Sequence, residues 1–320
     1  MTKKLFPILI LLFLFSGCSK EVNDQPVLDK KIFNSKNIQT KEFYFIGKWD
    51  KKFGIYKYNF DSKKTEIFWN RRNKNVIRLD YSPNQKNIYF ITARYLGKRS
   101  TLPYIKKIKL YRLDVKKEKV EYLDTLVNGS QLNSKWLDNN SYKIVINSPD
   151  KKVSEYINQY SYMYNGSGKR LMSEIETFDF IKNGYPLPVI KKSQTPVNKN
   201  FQLIYGDSLY ILDKIADEKH FIFSLKNLKI HNEYWSDDFL IFNTVPIANS
   251  NILLVYSIKR NQVIKMFSNN YIKNFIIFND YLVYDYGLGF SSSISIFNLK
   301  KTEVTDSIKI NGGCGLNSVL

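Results

Sequence analysis

From residue 41 onward, apolar positions fall in short runs rich in tyrosine, phenylalanine and isoleucine, divided by clusters of lysine, asparagine, aspartate and serine. Such runs read as strands joined by turns. The pattern is clearest over residues 76–123. A first run at 76–81 (VIRLDY) is followed by the turn cluster Ser82-Pro83-Asn84-Gln85-Lys86-Asn87 and a short apolar, aromatic run at 88–91 (IYFI). A polar loop leads to 105–114, where Ile105, Ile108, Leu110 and Leu113 are set among lysines and arginines. Val115-Lys116-Lys117-Glu118-Lys119 then turns the chain into a last strand at 120–123.

The same cadence recurs. Strands are expected at 42–47, 54–60 and 64–69, then at 131–137, 142–147, 155–164 and 170–175. An irregular stretch carrying Pro186, Pro188 and Pro196 precedes 201–206, 208–213 and 219–225. Regularity returns at 229–235, 239–245, 252–258 and 262–267, and again at 272–278, 281–286, 292–298 and 303–310. Six units of about 45 residues signal a radial array of four-stranded blades. The expected fold is all-β, a six-bladed β-propeller of four-stranded antiparallel blades closed by N- and C-terminal strands in one blade. The first unit lacks a strand, and residues 313–320 are expected to supply it beside 42–47, burying Cys314.

Ser82-Pro83-Asn84, the run 88–91 and Leu110-Tyr111-Arg112-Leu113-Asp114 together resemble the repeat of TolB-type β-propellers, and residues 160–171 (YSYMYNGSGKRL) resemble the end of the same repeat. The sequence departs from that pattern at Asn84-Gln85, where Asp-Gly is usual. Asparagine tolerates left-handed geometry, but the following position lacks the glycine. Gly166 and Gly168 stand where a tight hairpin needs positive φ.

The N-terminus changes the picture of where this domain works. Lys3 and Lys4 precede an apolar run from Leu5 to Phe15 that is too short to span a bilayer, and Ser16-Gly17-Cys18 follows. Phe15-Ser16-Gly17-Cys18 resembles a bacterial lipobox, which implies cleavage before Cys18 and lipid on that cysteine. Several acyl chains, at roughly 0.8 kcal/mol per buried methylene, imply permanent anchorage. Ser19 in place of aspartate implies, by resemblance to the enterobacterial sorting rule, the outer membrane, with the domain facing the periplasm or the cell surface. Residues 1–17 are thus read as a leader, 18–40 as a polar tether and 41–320 as the propeller domain.

The formal net charge is +20, and only eight of the 49 basic residues are arginine. Lysines are spread through nearly every turn instead of gathering on one face, which points away from nucleic acid and toward solvated strand edges, with anionic lipid or acidic polysaccharide as the lesser reading. With Cys18 given to lipid, Cys314 alone remains, so neither an intramolecular disulfide nor a cysteine metal site can form.

Residues with the spacing of a catalytic or metal site are scarce. Gly289-Phe290-Ser291-Ser292-Ser293 lacks the last glycine of a nucleophile elbow, and no α/β hydrolase domain accompanies it. His220 and His231 have no metal-ligand spacing. Asn165-Gly166-Ser167-Gly168-Lys169 is read as a hairpin, Asp237-Asp238 as a turn, and the alternating Tyr156, Tyr160, Tyr162 and Tyr164 as packing before ligand stacking, while Asp138-Asn139-Asn140 shows no calcium-loop spacing. No catalytic, cofactor or metal residue is assigned and no cofactor is expected. The sequence reading is a monomeric, non-catalytic interaction or ligand-binding module of the envelope with an unidentified protein partner. The alternative is an enzyme or binding protein for acidic polysaccharides with its site at the channel mouth.

Overall fold

The computed structural model describes residues 41–49, 52–71, 74–99, 102–149, 156–165, 168–170, 176–179, 200–205, 207–224, 230–244, 251–268, 271–287, 291–311 and 315–316. Cys18, Cys314 and the leader and tether lie outside them. All regular elements among the described residues are strands, arranged in six antiparallel sheets that follow one another along the chain. Sheet 1 holds β1 (Glu42–Trp49), β2 (Lys52–Asn59) and β3 (Lys64–Trp69). Sheet 2 holds β4 (Asn75–Tyr81), β5 (Asn87–Arg99), β6 (Leu102–Asp114) and β7 (Lys119–Thr125). Sheet 3 contains β8 (Gln131–Trp136), β9 (Ser141–Pro149), β10 (Tyr156–Asn165), β11 (Gly168–Arg170) and β12 (Glu176–Asp179). Sheet 4 contains β13 (Phe201–Tyr205), β14 (Ser208–Asp213) and β15 (Glu218–Ser224). Sheet 5 is β16 (Ile230–Trp235), β17 (Phe239–Thr244), β18 (Leu253–Ser257) and β19 (Gln262–Phe267). Sheet 6 is β20 (Ile272–Phe278), β21 (Tyr281–Tyr286), β22 (Ser291–Asn298) and β23 (Glu303–Asn311).

One device repeats in five sheets. The last hairpin of each opens on Asn59, Asp114, Asp213, Ser257 or Asn298, whose side-chain oxygen accepts N–H groups two or three residues on. Four residues after each of these, Lys63, Glu118, Asp217, Asn261 and Thr302 take positive φ of 50 to 58°. A register shift follows in every one of the five ladders. Short polar side chains favour such turns because they replace missing backbone partners, and the solvent-facing turn positions between them are largely lysine. The edge strands β3, β7 and β19 are half or more exposed and each carries at least one charged residue, whereas every residue of β18 is buried. Charged edges resist pairing with other chains.

Four apolar cores lie between neighbouring sheets among the described residues. Sheets 2 and 3 share one, sheets 4 and 5 another, and sheets 5 and 6 a third. The fourth joins sheet 1 to both sheet 2 and sheet 6, so the first and last sheets are packed together. Phe43 stacks on Phe278, Phe60 stacks on Tyr281, and the Tyr58 hydroxyl donates to Asp306 across that junction. The C-terminal segment joins it too: Gly315 O accepts from Ile46 N–H at 2.9 Å, and Leu316 is fully buried in the same core. No strand is assigned at residues 315–316, so the tail meets β1 through this one backbone bond among the described residues.

Three expectations need adjustment. The polar loop expected after residue 91 is instead part of a long hairpin, in which β5 reaches Arg99 and β6 starts at Leu102; bulges at Thr92/Arg94 and Tyr95/Lys98 break the alternation that a strand reading depends on. Of the strand expected at 170–175, Arg170 ends the short strand β11 and residues 171–175 lie outside the described residues; β11 and the further strand β12 pair with opposite ends of β10. The left-handed residue of the first sheet-2 turn is Gln85, with φ 57°, not Asn84. For the hairpin glycines, Gly168 pairs with Asn165 as the first residue of β11, and Gly166 lies outside the described residues.

Candidate functional site

An open groove of about 260 Å³ lies between sheets 1 and 2, lined by Arg71, Lys74, Lys109, Tyr111, Val120 and Tyr122. Arg71 and Lys74 bracket the β3–β4 connection, where Lys74 N–H donates to Arg71 O at 3.2 Å. Lys109 and Tyr111 alternate to one face of β6, and cross-strand pairing sets Tyr122 of β7 against Tyr111. The two lining tyrosines belong to a cluster of packed rings. Trp69 meets Phe90 edge-on at 5.0 Å, Phe90 stacks on Tyr111 at 5.1 Å, and Tyr111 meets Tyr122 at 5.7 Å.

Arg71 and Lys109 each lie over one of these rings, and Lys74 lies at the hydroxyl edge of another. Arg71 lies 5.8 Å from the centroid of Trp69, Lys74 lies 5.4 Å from that of Tyr111, and Lys109 lies 5.3 Å from that of Tyr122. Lys74 Nζ also donates to the Tyr111 hydroxyl at 2.8 Å. A ring face attracts a cation by roughly 0.5–2 kcal/mol without cancelling its charge. None of the three pairs with a carboxylate among the described residues. Nearby acids are committed elsewhere: Glu121 binds Arg112 at 2.6 Å and Asp124 accepts from the Tyr164 hydroxyl at 2.7 Å. Three positive charges are therefore held in place and left available to an anion.

A second groove of about 210 Å³, lined partly by Asp238, Lys259, Arg260 and Lys300, differs in this respect. Lys259 pairs with Asp238 at 2.5 Å and Lys300 with Asp280 at 2.7 Å, so its positive charge is largely matched locally.

Two buried carboxylates serve the fold. Asp80, 3% exposed, accepts from Arg78 Nε at 3.0 Å, Ser134 Oγ at 2.6 Å and the Tyr142 hydroxyl at 2.6 Å, tying sheet 2 to sheet 3. Asp285 accepts Asn274 N–H at 2.7 Å and Leu316 N–H at 2.9 Å, so it grips the C-terminal segment. Burial raises its pKa, against the opposing pull of the Leu316 N–H, the Lys273 charge and the Asn274 N–H.

The residues singled out in the sequence are dispersed. His220 binds Asn261 Nδ2 through Nδ1 at 2.7 Å and lies 3.6 Å from Glu218, on a hairpin of sheet 4. The side chains of His231 and Tyr156 lie outside the described residues. Tyr162 and Tyr164 are buried between sheets 2 and 3, with Tyr164 bound to Asp124. Asp237 and Asp238 form the β16–β17 turn, while Asp138 caps its own turn by accepting Asn140 and Ser141 N–H groups, both at 2.7 Å. Sequence reasoning missed the groove because its lining comes from two separate stretches, Arg71 to Lys74 and Lys109 to Tyr122. The available signal was Trp69-Asn70-Arg71-Arg72-Asn73-Lys74, an aromatic residue with three cations and two asparagines after it.

No family model matches the chain and no curated protein does. Similar solved structures include the periplasmic gluconolactonase PpgL of Pseudomonas aeruginosa, 10% identical, covering 86% of this chain and 98% of that one at TM-score 0.43. The β-propeller domain of the trilobed protease from Pyrococcus furiosus is 11% identical over 85% of this chain and 95% of that one, at 0.37. TolB of Acinetobacter baumannii is 11% identical over 87% of this chain, at 0.27, and the match spans 53% of the TolB chain, about half its length. At these scores the likenesses speak to neither ligand nor activity.

Proposed function

We propose that this protein is a non-catalytic binding module of the bacterial cell envelope: a closed six-bladed β-propeller, held to the outer membrane by lipid on Cys18, that presents the groove of Arg71, Lys74 and Lys109 to anionic ligands. The observation that carries the reading is the set of three cations fixed on aromatic rings with no carboxylate partner among the described residues. The described lining contains no carboxylate or histidine to act as a base near neutral pH, which favours binding over catalysis. The packing of sheet 1 on sheet 6 and the Ile46–Gly315 bond support closure of the ring by the two chain ends.

In this reading the site lies on β6, the edge strand β7 and the β3–β4 connection. The test is binding of the full chain to dextran sulfate as salt is varied. Replacing Arg71, Lys74 and Lys109 together by glutamine should weaken binding at least tenfold and flatten its salt dependence, since dispersed lysines elsewhere are screened within about 8 Å in physiological salt. An unchanged affinity in the triple variant would remove the groove from the function. Mass spectrometry of the mature N-terminus should show an acylated Cys18, and a plain N-terminal peptide starting elsewhere would remove the anchor.

A further inference from the structure

We infer that the groove accommodates a linear polysaccharide bearing carboxylate or sulfate groups, with a sugar ring lying against Tyr122. This rests on the groove being an anion-binding site, and three features narrow the occupant. First, the three cations are carried by three different rings, Arg71 by Trp69, Lys74 by Tyr111 and Lys109 by Tyr122. The centroids of Trp69 and Tyr111 are 5.6 Å apart and those of Tyr111 and Tyr122 5.7 Å apart. A compact anion such as phosphate is held by donors that converge on it, often backbone N–H groups in a concave nest. A chain with one acid group per unit, or per few units, can set a separate acid group against each of the three.

Second, at about 260 Å³ the groove falls below the usual range for enclosed small-molecule sites, roughly 300–1,000 Å³, and it is open. It can seat one sugar-sized unit while the rest of a polymer continues over the surface. Third, Tyr122 is 50% exposed, and its hydroxyl is tied to Thr125 Oγ1 at 2.7 Å, which fixes the ring at the groove's edge. The C–H face of a pyranose is apolar and packs on such a ring while its acid groups reach the cations. Single-stranded nucleic acid would use the same rings and charges. The leader ending at Cys18, read as an export and anchoring signal, brings envelope polysaccharides within reach instead.

The experiment titrates the full chain, purified in detergent, with an oligogalacturonate of defined length. Neutral cello-oligosaccharide of equal length, inorganic phosphate and an oligothymidylate are run alongside. The expected result is that oligogalacturonate binds more tightly than any of the three. Tyr122→Ala should weaken it on the order of tenfold and Tyr122→Phe should restore it, which separates ring packing from loss of the hydroxyl. Because Tyr122 is exposed, neither change threatens the fold. If phosphate competes as strongly as the oligomer and Tyr122→Ala has no effect, the groove is a simple anion site, so this inference fails while the proposed function stands. Tighter binding of oligothymidylate overturns the polysaccharide in favour of nucleic acid. If no anion binds in a way that depends on Arg71, Lys74 and Lys109, both readings fall.

Discussion

At the scale of single residues, departures from the expected repeat turn out to be tertiary contacts. Gln85 stands in left-handed geometry where glycine would be unstrained, yet it is 2% exposed and its Nε2 donates to Ile277 O in sheet 6 at 2.6 Å. The side chain that glycine lacks ties sheet 2 to the last sheet. Gln85→Ala should therefore cost about 1–3 kcal/mol by leaving the Ile277 carbonyl unsatisfied. Gln85→Gly should cost about 1 kcal/mol less than alanine, since the backbone strain is relieved. Urea unfolding checks the order, and an alanine variant as stable as wild type would remove the bond from the ledger. Asp285 carries a pH dependence. Its folded pKa is raised by burial, so its contribution is fully present below the unfolded value of about 3.9 and is lost as pH rises through the folded value. Relative to Asp285→Asn, which cannot ionise there, wild type should lose ground as pH climbs from about 4, by at most about 1.4 kcal/mol per pH unit. Parallel stability curves for the two proteins between pH 3.5 and 7 would show that Asp285 titrates as in the unfolded chain.

At the scale of elements, the five last hairpins show how little sequence a repeated structure needs. Their shared requirement is a short polar residue followed four positions later by one that accepts positive φ, and the latter is lysine, glutamate, aspartate, asparagine or threonine. Thr302 is the least suited, because a β-branched side chain at φ 58° crowds its own backbone. Thr302→Asn should stabilise the protein by about 1 kcal/mol, seen as a higher urea midpoint at unchanged m-value. A lower midpoint would mean that Thr302 makes an offsetting contact. The hairpins also join sheets: Glu118, itself at φ 50°, binds Lys57 of sheet 1 at 2.9 Å. Burial works to lower the Lys57 pKa, but hydrogen bonds to Glu118 and Glu66 and the charge of Glu42 raise it overall.

At the scale of the whole molecule, the C-terminal segment decides how the first and last sheets are held together. Gly315 lies so close to Asp285 that any Cβ would overlap the carboxylate, and Leu316 fills the core between sheets 1 and 6. Leu316→Ala should destabilise by roughly 2–5 kcal/mol through the cavity it leaves. Ending the chain at Asn311 should cost at least as much, since it also removes the Gly315 carbonyl that accepts the Ile46 N–H and the Leu316 N–H that binds Asp285. Thermal melts of the two variants test this. Equal melting temperatures for wild type and the shortened chain would show that the junction holds without its clasp.

The alternation of apolar runs and polar turns was enough to place nearly every described strand, because each strand buries one or both faces and the side chains at turns are chosen for local backbone geometry. It also showed the first unit to be one strand short, and tertiary contact brings residues 315–316 against β1. Invisible in the sequence were the pairing of β5 and β6 beyond residue 91, where bulges interrupt the period, and the split pairing of β11 and β12 on β10. The groove was hidden for a different reason. Trp69, Arg71 and Lys74 acquire Lys109, Tyr111 and Tyr122 as neighbours only when sheet 1 packs on sheet 2, and the freedom of their charges depends on Glu121 and Asp124 being engaged elsewhere. Strand order follows from local periodicity, whereas the site depends on which sheets meet and on which charges that meeting leaves unmatched.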